Sequence, residues 1–282
     1  MSESEQHDIS QEADEQEKRR LVQKNFGAVA AAYVTSKVHA GGADLDWLVE
    51  TASLTGRERV LDVATGGGHT AFALAPHAAE VVALDLTRPM LEAAQQEGLA
   101  RGLHTIRYLE GDAQALPCDD ASFDVVTCRH ASHHFPQADV AAREWARVLK
   151  PGGKLLLVDS TSPEEAEAEA LLHEIEVLRD PSHVRNHRIS TWTALLTQVG
   201  LTVETAREWG LYLDIPSWTQ RMRTPPDVVA TIERLMRTAS PETRERLHIE
   251  EREGTLGFTL PVALILARKP AEASYLRGDP QH

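Results

Sequence analysis

Between residues 59 and 159, short apolar runs rich in β-branched residues alternate with stretches of helical character. Strands that are apolar on both faces, with helices between them, are typical of a parallel sheet covered on both sides. Right-handed crossovers then predict a doubly wound, Rossmann-like α/β fold. The strand candidates are "RVLDVA" (59–64), "EVVALDL" (80–86), "TIRYLEGD" (105–112), "FDVVTCRH" (123–130) and "GKLLLVD" (153–159), and the helical stretches include 69–77, 88–101 and 137–149.

The C-terminal part of the chain departs from this simple alternation. Two helical inserts, at about 163–190 and about 216–248, interrupt it. One further strand candidate follows each insert, at 201–211 after the first and at 258–269 after the second. Both inserts leave the sheet where they would roof its ligand-binding edge.

The N-terminal region is predicted in three pieces. Residues 1–20 hold seven acids and three bases and read as an acidic tail, either solvated or a frayed helix. A helical pattern then runs from Leu21 to Tyr33, and "GGADLDWLVETASL" begins a second helix. Residues 21–282 are predicted to be a single domain.

The composition argues against several classes of protein. The formal net charge is −14 and the bases are scattered, so a nucleic acid partner is not expected. No apolar run reaches the roughly 20 residues that span a bilayer, so stable membrane insertion is not expected. The two cysteines, Cys118 and Cys128, suit a reducing compartment, and the acidic N-terminus lacks the apolar core of a secretory signal. We therefore expect a cytoplasmic protein.

The stretch "VLDVATGGGHTA" (60–71) ends the first strand in three consecutive glycines. In doubly wound sheets, ligands bind outside the carboxyl ends of the strands, where the strand order reverses. Glycine there permits positive φ and lets a ligand touch the main chain. The alternative is a tight turn with no ligand.

Two further acids end neighbouring strands. Asp85 closes "VVALD", at the spacing where dinucleotide and nucleoside sites place an acid on the ribose hydroxyls, although it also suits an N-cap. Asp112, in "GDAQALP", can accept from an exocyclic amine, and the N–H of Ala113 can donate to a ring nitrogen. "KPGGKLLLVD" (150–159) is a fourth feature, a turn that leads into the fifth strand.

This ordered set resembles the class I S-adenosylmethionine-dependent methyltransferases, and within them the ubiquinone/menaquinone-biosynthesis type. The resemblance covers residues from about 25 to 269 and is carried by "LDVATGGG", "FDVVTCRHASHHF" and "RVLKPGGKLLLVD". Ala64 stands where the commoner family pattern has a first glycine. The resemblance implies a mostly parallel seven-stranded sheet with an antiparallel last strand, and S-adenosylmethionine as cofactor with S-adenosylhomocysteine as product.

The resemblance also implies roles for individual residues. The loop around Ala64 would approach the methionine part of the cofactor through Gly66 and Gly68, with Asp62 behind it. On the nucleoside side, Asp85 would hold the ribose, Leu86 and Met90 would flank the adenine, and Asp112 and Ala113 would read its edge. The main chain near Arg129 would meet the methionine amino group, and Tyr33 would cover the cofactor.

Two other classes stay open at this point. A nicotinamide dehydrogenase would normally begin at its first strand with G-x-G-x-x-G, whereas here the loop reads A-T-G-G-G-H after about 58 preceding residues. A catalytically inactive cofactor-binding or scaffold protein would share the cofactor motifs. Measured methyl transfer separates that protein from an enzyme.

The catalytic candidates are histidines that follow the fourth strand. His134 ranks first, because related enzymes place a histidine near the transferring methyl group, and His133 ranks second. His130, His39 and the "RDPSH" residues Arg179 and His183 are tentative substrate contacts. The alternatives are capping and packing histidines, a helix stop at "RDPSH", and a Zn²⁺ site. We expect no metal, because H-x-x-H-H in a loop lacks the i, i+4 geometry of a zincin.

The sequence does not identify the methyl acceptor. Quinone-like rings, other small metabolites and amines remain open. The acidic surface and the helical roof favour a small, amphipathic or aromatic molecule. A homodimer is also left open.

Overall fold

The central sheet of the computed structural model, which describes residues 3–27 and 42–271, contains eight strands. Seven of them lie side by side in the order β3-β2-β1-β4-β5-β8-β6, and a short strand, β7, pairs with β8. Strands β1 to β5 are parallel, and β8 is antiparallel to both β5 and β6. The strands are β1 (Arg59–Val63), β2 (Glu80–Asp85), β3 (Ile106–Glu110), β4 (Phe123–Arg129), β5 (Leu149–Ser160), β6 (Thr202–Asp214), β7 (Glu250–Arg252) and β8 (Thr255–Arg268).

The predicted Rossmann-like α/β fold is therefore confirmed, including the mostly parallel sheet and the antiparallel last strand. The short β7 and the helix Ile189–Gln198 were not predicted. The helices are α1 (Glu3–Gly27), α2 (Ala43–Ala52), α3 (His69–Leu74), α4 (Arg88–Ala100), α5 (Ala138–Val148), α6 (Ala166–Arg179), α7 (Ile189–Gln198), α8 (Ile215–Met222), α9 (Pro226–Thr238) and α10 (Pro241–Arg246).

Alternation along the strands supplies both faces of the sheet with core residues. In β1, Leu61 and Val63 pack in one cluster with Trp145 of α5, while Val60 packs in another with Leu48 of α2. All five side chains are fully buried. A strand that is buried on both faces needs the continuous apolar run that the sequence shows.

The two helical inserts share a core of their own. Leu172 and Ile175 of α6 pack with Trp218 of α8, Ile232 of α9 and Phe258 of β8. The Trp218 and Phe258 rings meet edge to face, with centroids 5.0 Å apart. The two inserts, called the roof below because the sequence analysis expects them over the ligand edge, are therefore held together by apolar packing of their own.

The N-terminal residues differ from the predicted acidic tail. Glu3–Gly27 forms one helix, and its second half contacts the rest of the protein. Glu15 is 8% exposed and accepts a hydrogen bond from the Gln137 side chain at 2.5 Å. These anchors depend on residues distant in the sequence, so a local reading could not identify them. The division of the chain at residue 21 stays a prediction.

Within residues 3–27 and 42–271, every helix is too short or too polar to span a bilayer.

Candidate active site

A cleft opens at the carboxyl ends of β1, β2 and β4, and the strand order reverses between β1 and β4. It contains about 1030 Å³ of empty space, its open mouth included. Its walls come from the loop after β1, the end of β2, the loop after β4 and one face of α1. This is the position at which doubly wound sheets bind ligands.

The floor of the cleft is the loop that follows β1. Ala64 has φ +54° and Gly66 has φ +53°, and both residues line the cleft together with Gly67. Positive φ is costly for a residue with a Cβ, by roughly 1–2 kcal/mol, yet Ala64 adopts it where the family pattern more often has glycine. The Thr65 N–H donates to the Leu84 carbonyl at 2.8 Å and so ties the loop to β2.

Asp62 is hydrogen-bonded to this loop. Its carboxylate accepts hydrogen bonds from the hydroxyls of Thr65 at 2.6 Å and Thr127 at 2.8 Å. Burial raises the pKa of Asp62 to about 6 against the opposing effect of these two bonds. The result is a carboxyl that faces the cleft and ionises near neutral pH.

Gly68, which the resemblance places against the methionine part of the cofactor, is not among the residues that line the cleft. It caps α3 with φ +83°, and an added Cβ would lie 2.6 Å from Cζ of Phe72 and 3.1 Å from the Cβ of Ala94. Its missing side chain therefore makes room for packing between α3 and α4. Gly67 takes the place in the cleft wall that the sequence analysis gave to Gly68.

The side chain of Asp85 binds backbone N–H groups of both the loop after β1 and the segment that leads into α4. One carboxylate oxygen accepts from the Gly66 N–H at 2.8 Å, and the other accepts from the Thr87 N–H at 2.8 Å, one residue before α4 begins. The side chain also lines the cleft. Its pKa is raised by burial, which outweighs the hydrogen bonds.

The predicted adenine side of the cleft contains Leu86, Met90 and Asp112. Asp112 accepts from the Gln114 N–H at 2.8 Å and from the Arg19 guanidinium at 2.9 Å. The side chain of Ala113 is buried in the apolar core, and Gln114 is its neighbour on the cleft wall.

Arg129 and His130 are tied to an acid that sequence reasoning missed. Arg129 Nε donates to Asp44 of α2 at 2.7 Å, and His130 Nε2 lies 3.1 Å from the same oxygen. Burial of Asp44 opposes ionisation, but the bonds from His130 and Arg129 outweigh it and hold its pKa well below the usual range. Arg129 and His130 both line the cleft. Asp44 lies near the start of a predicted helix and carries no local signal of this contact.

His133 and His134 end the short 3₁₀ turn that begins at Ser132, but they have different partners. His133 Nδ1 lies 2.6 Å from a carboxylate oxygen of Asp159, the residue before the last of β5. His134 Nδ1 donates to the Ser182 carbonyl at 3.0 Å, and only His134 of the pair lines the cleft. Asp159 was missed, although it ends "LLLVD" just as Asp85 ends "VVALD".

Two of the tentative substrate residues lie elsewhere. Arg179 Nε donates to the Trp218 carbonyl at 3.1 Å, and its guanidinium lies over the Trp218 ring. His183 is 2% exposed and packs against the rings of His133 and His173. The predicted substrate contacts of Arg179 and His183 are therefore corrected: both residues hold the roof together. Tyr33 and His39 lie outside the described residues.

The helix α1 supplies a wall that the sequence analysis did not foresee. Arg19, Val22 and Phe26 line the cleft, and the Phe26 ring meets His134 edge to face at 5.3 Å. Lys18 donates to the carbonyls of Pro181 at 2.9 Å and His183 at 3.2 Å. Gln23 donates to the Leu86 carbonyl at 3.1 Å. One helix thus contacts both the predicted adenine side and the roof.

The groups on these walls define what the cleft can hold. A loop without side chains at Gly66 and Gly67 accommodates a ligand against the main chain, and Asp62, Asp85 and Asp112 offer oxygens to hydroxyls, an amine or a positive centre. Among the described residues, no three histidine, cysteine or acidic side chains are arranged to hold a metal ion.

Known proteins with similar sequences include methyltransferases. A family model described as "Methyltransferase domain" matches residues 61–157. The uncharacterized methyltransferase YcgJ of Bacillus subtilis is 37% identical over 242 residues, which cover 85% of this chain and 96% of YcgJ. A demethylmenaquinone methyltransferase of Deinococcus radiodurans is 39% identical over 156 residues, which cover 53% of this chain and 64% of the relative.

The fold agrees with solved structures as well. The crystal structure of YcgJ matches with a TM-score of 0.78 at 36% identity and covers 81% of this chain and 98% of that one. A putative methyltransferase from Bacillus halodurans matches with a TM-score of 0.79 at 36% identity, covering 82% of this chain and all of that one.

Proposed function

The chain belongs to the class I S-adenosylmethionine-dependent methyltransferases, and on that premise we propose that it methylates a small, amphipathic or aromatic metabolite. The observation that carries the proposal is the wall of the cleft formed by Phe26, His134 and Phe135, where two apolar rings adjoin one imidazole. An aromatic or amphipathic acceptor matches such a wall. The non-catalytic alternative and the dehydrogenase are not favoured, because the matched family consists of methyltransferases.

The cofactor roles follow the chemistry of the donors. We assign the ribose hydroxyls to Asp85, the adenine faces to Leu86 and Met90, and the adenine edge to Asp112 with the Ala113 N–H. The methionine part would lie against Ala64, Gly66 and Gly67, with the main chain near Arg129 at its amino group. The buried carboxyl of Asp62 supports a positive centre nearby.

The bound cofactor supplies a methyl group on a sulfonium, and the electron pair of the broken carbon–sulfur bond stays on sulfur in S-adenosylhomocysteine. The residues of the chain orient the acceptor and exclude water from it. His134 takes the proton that the acceptor atom loses as its electron pair forms the new bond to carbon. Burial, with a smaller effect of His133, lowers the pKa of His134 to about 4, so the imidazole is neutral and able to accept a proton at pH 7.

His130 is the remaining candidate for contact with the acceptor, because it lines the cleft beside His134. The net charge of −14 supports a small molecule rather than a nucleic acid as the partner. The free thiols Cys118 and Cys128 support a reducing, cytoplasmic compartment. A homodimer stays a proposal that needs a measured oligomeric state.

The test is a screen of the purified protein with S-adenosylmethionine against a metabolite library, with release of S-adenosylhomocysteine as the readout. We expect turnover with amphipathic or aromatic acceptors. Calorimetric titration with S-adenosylhomocysteine and with NAD runs beside it. Tight binding of NAD with no response to S-adenosylhomocysteine would overturn the cofactor assignment, and turnover confined to polar aliphatic acceptors would overturn the acceptor class.

A further inference from the structure

The carboxylate of Asp159 binds three groups on the two residues that precede His134. One oxygen accepts from the Ser132 hydroxyl and, at 3.1 Å, from the His133 N–H. The other lies 2.6 Å from Nδ1 of His133. Asp159 is 2% exposed, so these bonds form away from water. The conformation of the loop that carries His134 therefore depends on one buried carboxylate.

His134 is held in a defined tautomer from its other side. The Ser182 carbonyl can only accept, so Nδ1 of His134, 3.0 Å away, carries the proton. Nε2 then carries the lone pair. The ring lies 4.3 Å from the ring of His133, centroid to centroid. A charge on His133 is therefore felt directly by His134.

We propose that Asp159 and His133 are positioning residues for methyl transfer: Asp159 anchors the loop that carries His134, and the imidazolium of His133 adds to burial in keeping His134 a neutral proton acceptor. The inference rests on the role proposed for His134 above. A histidine held neutral beside a cation is a weak base, which suits an acceptor whose proton becomes strongly acidic as the methyl group arrives. A hydroxyl oxygen or an electron-rich ring carbon has this property. An amine that must first lose its proton does not.

The surroundings of the pair agree with opposite protonation states. Burial disfavours a charge on His133, but Asp159 outweighs it, so the pKa of His133 is raised. Burial and the charge of His133 lower the pKa of His134. Neighbouring histidines whose pKa values are pushed apart are the usual arrangement for a division of acid and base roles.

Other charged or titratable groups also approach this pair. They are Asp180 and His183 in the roof loop, Glu176 and His173 on α6, and Lys18 on α1, which binds the His183 carbonyl. Asp180 acts on His134 in the opposite sense to His133, because its negative charge favours protonation. Its carboxylate accepts from the N–H and the hydroxyl of Ser182 and so holds the backbone that binds His134 Nδ1.

The experiment follows the His134 imidazole by NMR from about pH 3 to pH 8 in the wild type and in three variants, because the pKa of His134 is lowered to about 4. Asp159→Asn removes the partner of His133, so His133 becomes neutral and the midpoint of His134 should rise by roughly one pH unit. His133→Gln removes the cation but leaves Asp159 charged, so the midpoint should rise further. Comparison with His134→Gln assigns the signal.

Ser132→Ala is the matched control, because it removes one bond to Asp159 and changes no charge. We expect a lower melting temperature and an unchanged His134 midpoint. A His134 midpoint that stays at the wild-type value in both Asp159→Asn and His133→Gln would overturn the proposal, as would an equal shift in Ser132→Ala. If Asp159→Asn does not fold, the His134 midpoint measured in His133→Gln decides whether the proposal stands.

This titration needs neither cofactor nor acceptor, so its outcome is separate from the test of the proposed function. Failure to bind S-adenosylhomocysteine would refute the proposed function. The titration midpoints of His134 would still show whether His133 and His134 interact as proposed. With an acceptor in hand, the low-pH limb of kcat/KM should move by the same amounts and in the same order.

Discussion

The side chain of Asp85 accepts a hydrogen bond from the main-chain N–H of Gly66, 19 positions earlier, at 2.8 Å. Its second oxygen binds the N–H of Thr87. One carboxylate thus links the floor of the cleft to the start of α4, while it still faces the cleft. Disturbing Asp85 therefore affects both the shape of the loop and the ribose contact proposed above.

We expect Asp85→Asn to weaken binding of S-adenosylhomocysteine by roughly 10- to 150-fold, since hydrogen bonds to a charged group contribute roughly 1.5–3 kcal/mol. Calorimetric titration measures the affinity, and a thermal melt measures the stability. Glu110→Gln is the matched control, because Glu110 ends the next strand and pairs with the exposed Arg88. Normal affinity with a lower melting temperature would leave Asp85 a purely structural link.

Arg19→Gln should tighten cofactor binding. Arg19 occupies an oxygen of Asp112, the acid proposed to read the adenine edge, and both side chains are partly exposed. Such pairs contribute roughly 0.2–1 kcal/mol, so the Kd for S-adenosylhomocysteine should fall by up to about fivefold. Arg20→Gln removes an exposed neighbour and should change nothing. A higher Kd for Arg19→Gln would instead show that Arg19 itself contributes to binding.

Gly68→Ala should destabilise the fold more than an ordinary change at positive φ does. The new Cβ would lie 2.6 Å from Phe72, and overpacking of a core costs roughly 1–3 kcal/mol. Gly152→Ala is a close control, because Gly152 has a similar φ of +80° and nothing within 4 Å of an added Cβ. Urea unfolding of both variants gives the difference. Equal free energies of unfolding would contradict the packing role of Gly68.

His134→Ala should lower turnover by roughly 10²- to 10⁴-fold and change cofactor affinity much less. The reason is that His134 is the proposed proton acceptor, while the cofactor contacts lie on other residues. His77→Ala serves as the control, since His77 is exposed and does not line the cleft. If the loss of turnover is fully explained by a loss of stability, seen as a lower melting temperature, then His134 is a packing residue.

The strand-ending loops could be predicted because their signals are local. Gly66 lies between the apolar run of β1 and a helix, and Asp85 ends the apolar run of β2. The placement of both residues at the carboxyl ends of these strands therefore follows from the sequence alone. Gly68 shows the limit of this reasoning. Adjacent glycines look alike in sequence, but the space each requires depends on side chains such as Phe72 and Ala94, and the latter lies on another helix.

The contacts of Arg179, Asp44 and Arg19 could not be predicted, because each joins elements that are far apart in the chain. Arg179 meets Trp218 through the packing of two inserts, and Arg19 meets Asp112 across 93 positions. A charged residue near a predicted cleft has many partners available to it. Only the packed arrangement decides between a ligand contact and a structural one.

Asp62 has a consequence for how binding will be measured. Its carboxyl faces the cleft and, through burial, has a pKa of about 6, so near that pH a substantial fraction of free molecules carry a proton there. A ligand with a positive centre stabilises the ionised form and expels that proton to the buffer. The heat of S-adenosylmethionine binding at pH 6 will therefore vary with the ionisation enthalpy of the buffer, and titrations in two buffers will count the protons released.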